Sequence, residues 1–200
     1  MTAMRVLELA AVALAIAYLV LAIRQNIWCW AAALASVLAY VVITYHARLY
    51  MEVGLQVFYA AMAVYGWQQW RRGGERGEGV AVGVWPWQRH ALAIAGIVAA
   101  SLVAGRWLEA NTDAAFPYLD SFTTIGSIVT TYMVARKVLE NWIYWFVIDA
   151  LYVYIYAARG LVPTAVLFAF YLVLVVIGFR RWLRDFRAQE ARVEAALARG

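Results

Sequence analysis

The stretch Glu140-Asn141-Trp142-Ile143-Tyr144-Trp145-Phe146-Val147-Ile148-Asp149-Ala150-Leu151-Tyr152 places one carboxylate among tryptophans and tyrosines, inside an apolar run of membrane-crossing length. At 100° per residue, Trp142, Trp145, Asp149, Tyr152 and Tyr156 share one helical face within an arc of roughly 80°. Asp149 lies eight residues past Asn141, about 12 Å along the axis, near the middle of a ~30 Å hydrocarbon core. A carboxyl there costs several kcal/mol unless it faces protein, water or a ligand, so it marks a candidate functional site.

The rest of the chain agrees with a membrane setting. Of its 200 residues 66% are hydrophobic and 14% charged, against about 25% charged in soluble domains, so the chain reads as an all-α integral membrane protein. Seven segments are long enough to cross: Leu7 to Ile23, Ile27 to Tyr45, Leu49 to Trp70, Ala91 to Leu108, Tyr118 to Ala135, Trp142 to Ala158 and Leu161 to Phe179. The first is read as a helix rather than a signal peptide, because its apolar run continues to Ile23 and no long soluble domain follows. Arg71 to Gly79 is glycine-rich and charged and reads as a flexible linker, after which Trp85-Pro86-Trp87 returns the chain to the interface. The single Cys29 excludes an intramolecular disulfide, and His46 and His90, at predicted helix ends, give no metal-ligand cluster. No cofactor is expected. The net charge of +5 reflects topology and anionic lipid rather than nucleic acid.

The basic residues set the orientation. Arg5, Arg48, Arg106 and Arg159 fall on one side, and the other thirteen of the seventeen Lys and Arg on the other, which places the N-terminus outside and the C-terminus in the cytoplasm. The charged segment after Phe179 reads as a solvated helical tail.

A repeat is also visible. Asn26-Ile27-Trp28-Cys29-Trp30 matches Asn141-Trp142-Ile143-Tyr144-Trp145 at an offset of 115, pairing Trp30 with Trp145 and Leu34 with Asp149. Tyr59, Gly66 and Trp70 match Tyr171, Gly178 and Trp182 at an offset of 112, which calls for a three-residue gap between the two matches. Two three-helix units in the same direction need an odd helix between them. The expected organisation is a 3+1+3 parallel repeat: residues 1–70, a cytoplasmic linker and linking helix over 71–117, a second repeat over 118–182, and a cytoplasmic tail over 183–200.

Two further spans carry polar faces. The third holds Glu52, Gln56, Tyr59, Ala63, Gly66 and Trp70 within roughly 80°; the small residues suit helix packing, which leaves Gln56, Tyr59 and Trp70 unexplained. The fifth holds Asp120, Thr123, Thr124, Ser127 and Thr131 within about 120°, with Asp120 suited to the helix start. Its hydroxyls serve either as interhelical glue or as ligand contacts. No Lys or Arg lies at the depth of Asp149, so a cationic substrate, a proton or neighbouring hydrogen bonds must satisfy it. Aromatic faces attract cations, and the combination suits a flat, positively charged ring.

At these residues the chain resembles the PnuC family of bacterial vitamin transporters. The family motif Trp-x-x-Trp-x-x-x-Asn/Asp is met by Trp142, Trp145 and Asp149. The resemblance extends through Asp120 to Thr124, through Arg136 to Trp142, and through Gln56, Tyr59 and Tyr65 to Trp70. It implies a full-length SWEET-like fold and a homotrimer in the bacterial inner membrane. It also implies facilitated diffusion of nicotinamide riboside, trapped by a cytoplasmic kinase that phosphorylates it; relatives carry thiamine. By position, it makes Gln56, Tyr59, Thr123, Thr124, Trp142, Trp145 and Asp149 the lining, to which the helical faces add Ser127 and Tyr152. A proton-coupled transporter of another small organic cation is a further alternative. A retinal receptor is excluded, since the only lysine, Lys137, lies at a helix end, and no nucleophile with a base supports an enzyme.

Overall fold

The computed structural model describes residues 3–46, 50–74 and 77–198, without the side chains of 3, 4 and 50–52, so the expectation for Glu52 lies outside the described residues. Among the described residues there are seven helices: α1 (Ala3–Ile23), α2 (Trp28–His46), α3 (Tyr50–Arg72), α4 (Trp87–Asn111), α5 (Pro117–Ala135), α6 (Asn141–Ala158) and α7 (Val162–Leu197). Among the described residues α1, α2, α4 and α7 are long and apolar enough to cross a membrane. Helices α3, α5 and α6 fall below that apolarity because they carry the glutamines, hydroxyls, tyrosines and Asp149 singled out in the sequence. Pro117 opens α5 at its first position, where its missing N–H costs nothing. The charged tail is no separate helix but the end of α7.

The chain divides into two compact units, Met1–Ala81 and Val82–Gly200. In the first, α2 packs on both α1 and α3. In the second, α4 packs on α5 and α6 on α7, with a smaller contact between α5 and α6.

Local geometry in the first unit recurs 112 residues later in the second. Gln25 and Lys137 are the non-glycine residues with left-handed backbone among those described, at φ 53° and 49°. Gln25 N–H donates to Ala22 O and Asn26 N–H to Leu21 O, both at 2.9 Å; Lys137 donates to Val134 O at 3.0 Å and Val138 to Met133 O at 2.9 Å. This paired closure satisfies the last carbonyls of α1 and of α5. One turn into the following helix, Trp30 and Trp142 are each 2% exposed. Trp30 meets Trp70 edge to face at 5.6 Å and 87°, and Trp142 meets Trp182 at 5.4 Å and 88°. Each indole also lies on a glycine of the next helix, Gly66 of α3 or Gly178 of α7, so closely that a Cβ would come within 2.4 Å or 2.6 Å of the ring.

These contacts correct the sequence alignment. One offset of 112 serves throughout, no gap is needed, Trp30 answers Trp142 rather than Trp145, and Val37 rather than Leu34 stands opposite Asp149. The two asparagines that suggested the other register do different work. Asn26 Oδ1 accepts the Trp28 N–H at 3.0 Å as a helix cap, whereas Asn141 is fully buried inside the first turn of α6 and donates Nδ2 to Val138 O at 2.7 Å.

The glycine-rich stretch is pinned at both described ends rather than loose. Gly73 and Val80 both donate to Gln69 O, at 2.9 and 3.1 Å, and Gly79 donates to Gly73 O at 2.9 Å. Gly79 holds φ at 94° with its α-carbon against the Trp70 carbonyl, a place no side chain fits.

Gly66→Ala and Gly178→Ala are each expected to destabilise the purified protein by about 1 to 3 kcal/mol through overpacking against the indole. Gly96→Ala, where a Cβ meets nothing within 4 Å, should be neutral. Thermal unfolding in detergent reads all three.

Candidate functional site

Helix α5 supplies hydroxyls whose protons are already committed. Ser121 donates to Pro117 O, Ser127 to Thr123 O, Thr130 to Gly126 O and Thr131 to Ser127 O, each at 2.7 Å. Thr123, fully buried, donates to Leu119 O and Asp120 O at 3.0 Å. The hydroxyl stripe therefore satisfies itself along the helix and turns its lone pairs outward. The Tyr152 hydroxyl of α6 faces the hydroxyls of Thr123 and Ser127 on α5. Thr124 is half-buried on the same helix.

On α6, Asp149 is 5% exposed, three residues before Tyr152, and among the described residues no basic side chain pairs with it. Trp145 is half-buried. Trp142, by contrast, is used in packing against Gly178 and Trp182, so of the two indoles Trp145 keeps the exposed surface. The opposite arc, with Ile143, Phe146 and Val147 exposed, is apolar.

Helix α7 completes an aromatic cluster that the sequence reading missed. Phe168 lies 5.4 Å from Tyr156 with planes at 14°, 4.7 Å from Tyr152 at 35°, and 5.6 Å from Tyr171 edge to face. The signal available was weak: Phe168 stands three residues before Tyr171 and shares its face. The second unit thus sets Tyr152 beside Thr123 and Ser127 with Phe168 against its ring, and Asp149 is buried three residues earlier on α6. Gln56 and Tyr59, both half-buried, stand three residues apart on α3 of the first unit. At the corrected register Gln56 occupies the position of Phe168, and Tyr59 that of Tyr171.

Chemically the site is a binding surface. It offers one carboxyl, a tyrosine hydroxyl, lone pairs of two back-bonded hydroxyls and flat aromatic walls, which suit a ring with a polyol or a positive charge.

The chain is 30% identical over 187 residues to the riboflavin/roseoflavin transporter RibM of Streptomyces davaonensis, covering 90% of this chain and 86% of the relative. It is 26% identical over 185 residues to the nicotinamide riboside transporter PnuC of Escherichia coli, covering 80% and 77%. The crystal structure of a vitamin B3 transporter, PnuC, superposes with a TM-score of 0.69 at 24% identity, over 91% of this chain and 82% of that one, and so shares the fold. The profile of the nicotinamide mononucleotide transporter family matches residues 5–184, and the chain therefore belongs to that family, the PnuC family of membrane vitamin transporters.

Proposed function

We propose that this protein takes up nicotinamide riboside across the bacterial inner membrane by facilitated diffusion, with phosphorylation by a cytoplasmic kinase trapping the imported molecule. The observation that carries this reading is Asp149, a carboxyl 5% exposed with no basic partner among the described residues. A pyridinium ring supplies the missing charge. In this reading Trp145 flanks the ring, while Asp149, Tyr152, Thr123, Thr124 and Ser127 take the ribose and the charge. Trp142 of α6 holds the wall in place by packing on α7, and Gln56 and Tyr59 of α3 are kept as candidate contacts. The recurrence at 112 residues supports the 3+1+3 parallel, SWEET-like arrangement, and the asymmetry of basic residues supports an outside N-terminus. A homotrimer belongs to the same reading.

Thiamine, with a thiazolium ring, meets the same requirement, as does another organic cation moved together with a proton on Asp149. A second reading, riboflavin, is favoured by the 30% identity to RibM. Its flat ring is uncharged, so Asp149 would then face a ribityl hydroxyl.

Titrating the purified protein with nicotinamide riboside, thiamine and riboflavin, followed by tryptophan fluorescence, separates these readings. Tightest binding of nicotinamide riboside is expected, and a preference for riboflavin refutes the cation. Asp149→Asn removes the charge but keeps hydrogen bonding, and should weaken nicotinamide riboside binding about tenfold or more, since a 1.4 kcal/mol loss is tenfold. Trp145→Ala should cost about 0.5 to 2 kcal/mol of cation–π attraction. In proteoliposomes without a kinase, uptake should stop at equal concentrations even under a pH gradient; accumulation above that level means proton coupling.

A further inference from the structure

The second unit contains a polar cluster that the substrate site does not use. His90, at the start of α4, accepts or donates through Nδ1 to the Tyr144 hydroxyl at 3.0 Å, and its Nε2 lies 3.6 Å from Glu140 Oε1. The other oxygen of Glu140, at the cap of α6, accepts the Trp85 N–H at 3.4 Å. The strand leading into α4 is bridged to the α5–α6 turn: Leu139 N–H donates to Gly83 O at 2.7 Å and Gly83 N–H to Lys137 O at 3.1 Å. The Trp85 ring stands 5.6 Å from the imidazole. Every one of these contacts joins the leader and start of α4 to the turn and first residues of α6.

Elsewhere the two helices are apart. Among the described residues α4 and α6 do not pack backbone to backbone. An apolar cavity of about 250 Å³ lies between them, lined by Ile94 and Ile97 of α4, Phe122 of α5, and Tyr144 and Val147 of α6. Helix α6 is packed closely on α7 and more lightly on α5, while α4 is packed on α5. The unit is therefore two helix pairs, α4–α5 and α6–α7, joined by the lighter α5–α6 contact and by the His90 cluster at the start of α6. Asp149 and Trp145 ride on the second pair; Thr123 and Ser127 ride on the first. Any movement between the pairs changes the site.

We propose that His90, Glu140 and Tyr144 form a proton-sensitive latch between α4 and α6 that sets how fast the α6–α7 pair moves against α4–α5 during transport. This rests on the transport reading above. In the neutral imidazole, Nδ1 accepts the Tyr144 O–H, and Nε2 carries its proton toward Glu140 without reaching hydrogen-bond distance. The titratable and charged groups on the surrounding elements are Glu140 and Tyr144, Tyr132 of α5 beyond the Trp85 ring, Arg136 and Lys137 in the turn, and Arg89 on α4 itself. Glu140 is the one acid of this set, and it faces the imidazole. A proton on His90 adds attraction to Glu140 and to the Trp85 face, so the latch tightens as pH falls. His90, Glu140 and Tyr144 act on transport through the position of α6 and do not touch substrate.

Two measurements on the full-length protein test this. The first is nicotinamide riboside uptake by proteoliposomes between about pH 6 and pH 8, where an imidazole titrates. The maximal rate should fall several-fold toward acid pH with KM nearly constant. His90→Gln, which cannot be protonated, should flatten that profile, and Tyr144→Phe should raise the rate across it. A His90→Gln protein with the unaltered pH profile overturns the latch. The second needs no substrate: disulfide formation between Ile94→Cys and Val147→Cys, across the cavity, in a Cys29→Ser background. The ratio of rates with and without His90→Gln cancels thiol ionisation, and should grow several-fold from about pH 8 to pH 6. A flat ratio also overturns the latch. A ratio that grows while no protein carries nicotinamide riboside leaves the latch standing and refutes the substrate instead.

Discussion

The structure depends on an indole set against a glycine one helix away. Trp142 on Gly178 and Trp30 on Gly66 bring α6 onto α7 and α2 onto α3, across the backbone itself. Between apolar helices in lipid there is little hydrophobic drive for association, because the surrounding tails are as apolar as the side chains. Close approach and shape must do the work, and a glycine facing a large flat ring supplies both. Each ring is then fixed by a second indole at right angles, Trp182 or Trp70, the arrangement aromatic pairs prefer. The cost is visible too. The Nε1–H groups of Trp30 and Trp142 are buried with no hydrogen-bond partner, which opposes the packing by about 1 to 3 kcal/mol apiece.

That contact decides what α6 can offer to a ligand. With Trp142 lodged on α7, the aromatic face divides by depth: its first ring is structural, and Trp145, Asp149 and Tyr152 lie farther along the helix. The hydroxyls of α5 are constrained in a complementary way. By donating to carbonyls one turn back they leave acceptors that face Tyr152. Asp149, buried three residues before that tyrosine, has no ionic partner among the described residues.

Features that arise within one helix were legible in the sequence. An acid in an apolar run, an aromatic face and a hydroxyl stripe each follow from composition and a 3.6-residue period, so the helices and the candidate residues of α5 and α6 could be named from the chain alone. The register of the repeat was not, because two asparagines with different jobs matched as letters. Asn26 caps α2 while Asn141 is buried in α6, and only the backbone bonds behind Gln25 and Lys137 separate them. Phe168 was missed because an apolar ring on α7 looks the same whether it meets lipid or Tyr152. His90 and Glu140, fifty residues apart, form a pair that leaves no periodic trace at all.

The corrected register sharpens the difference between the units. Opposite Asp149 stands Val37, opposite Trp145 stands Ala33, and opposite Phe168 stands Gln56, while the closing turns and the indole–glycine contacts are the same in both. What recurs is what holds helices together; what differs is what could touch a solute. A valine at the position answering Asp149 adds no second charge to satisfy at that depth. A second at the equivalent position would add another desolvation cost of several kcal/mol, and a substrate with a single positive charge could offset only one of the two.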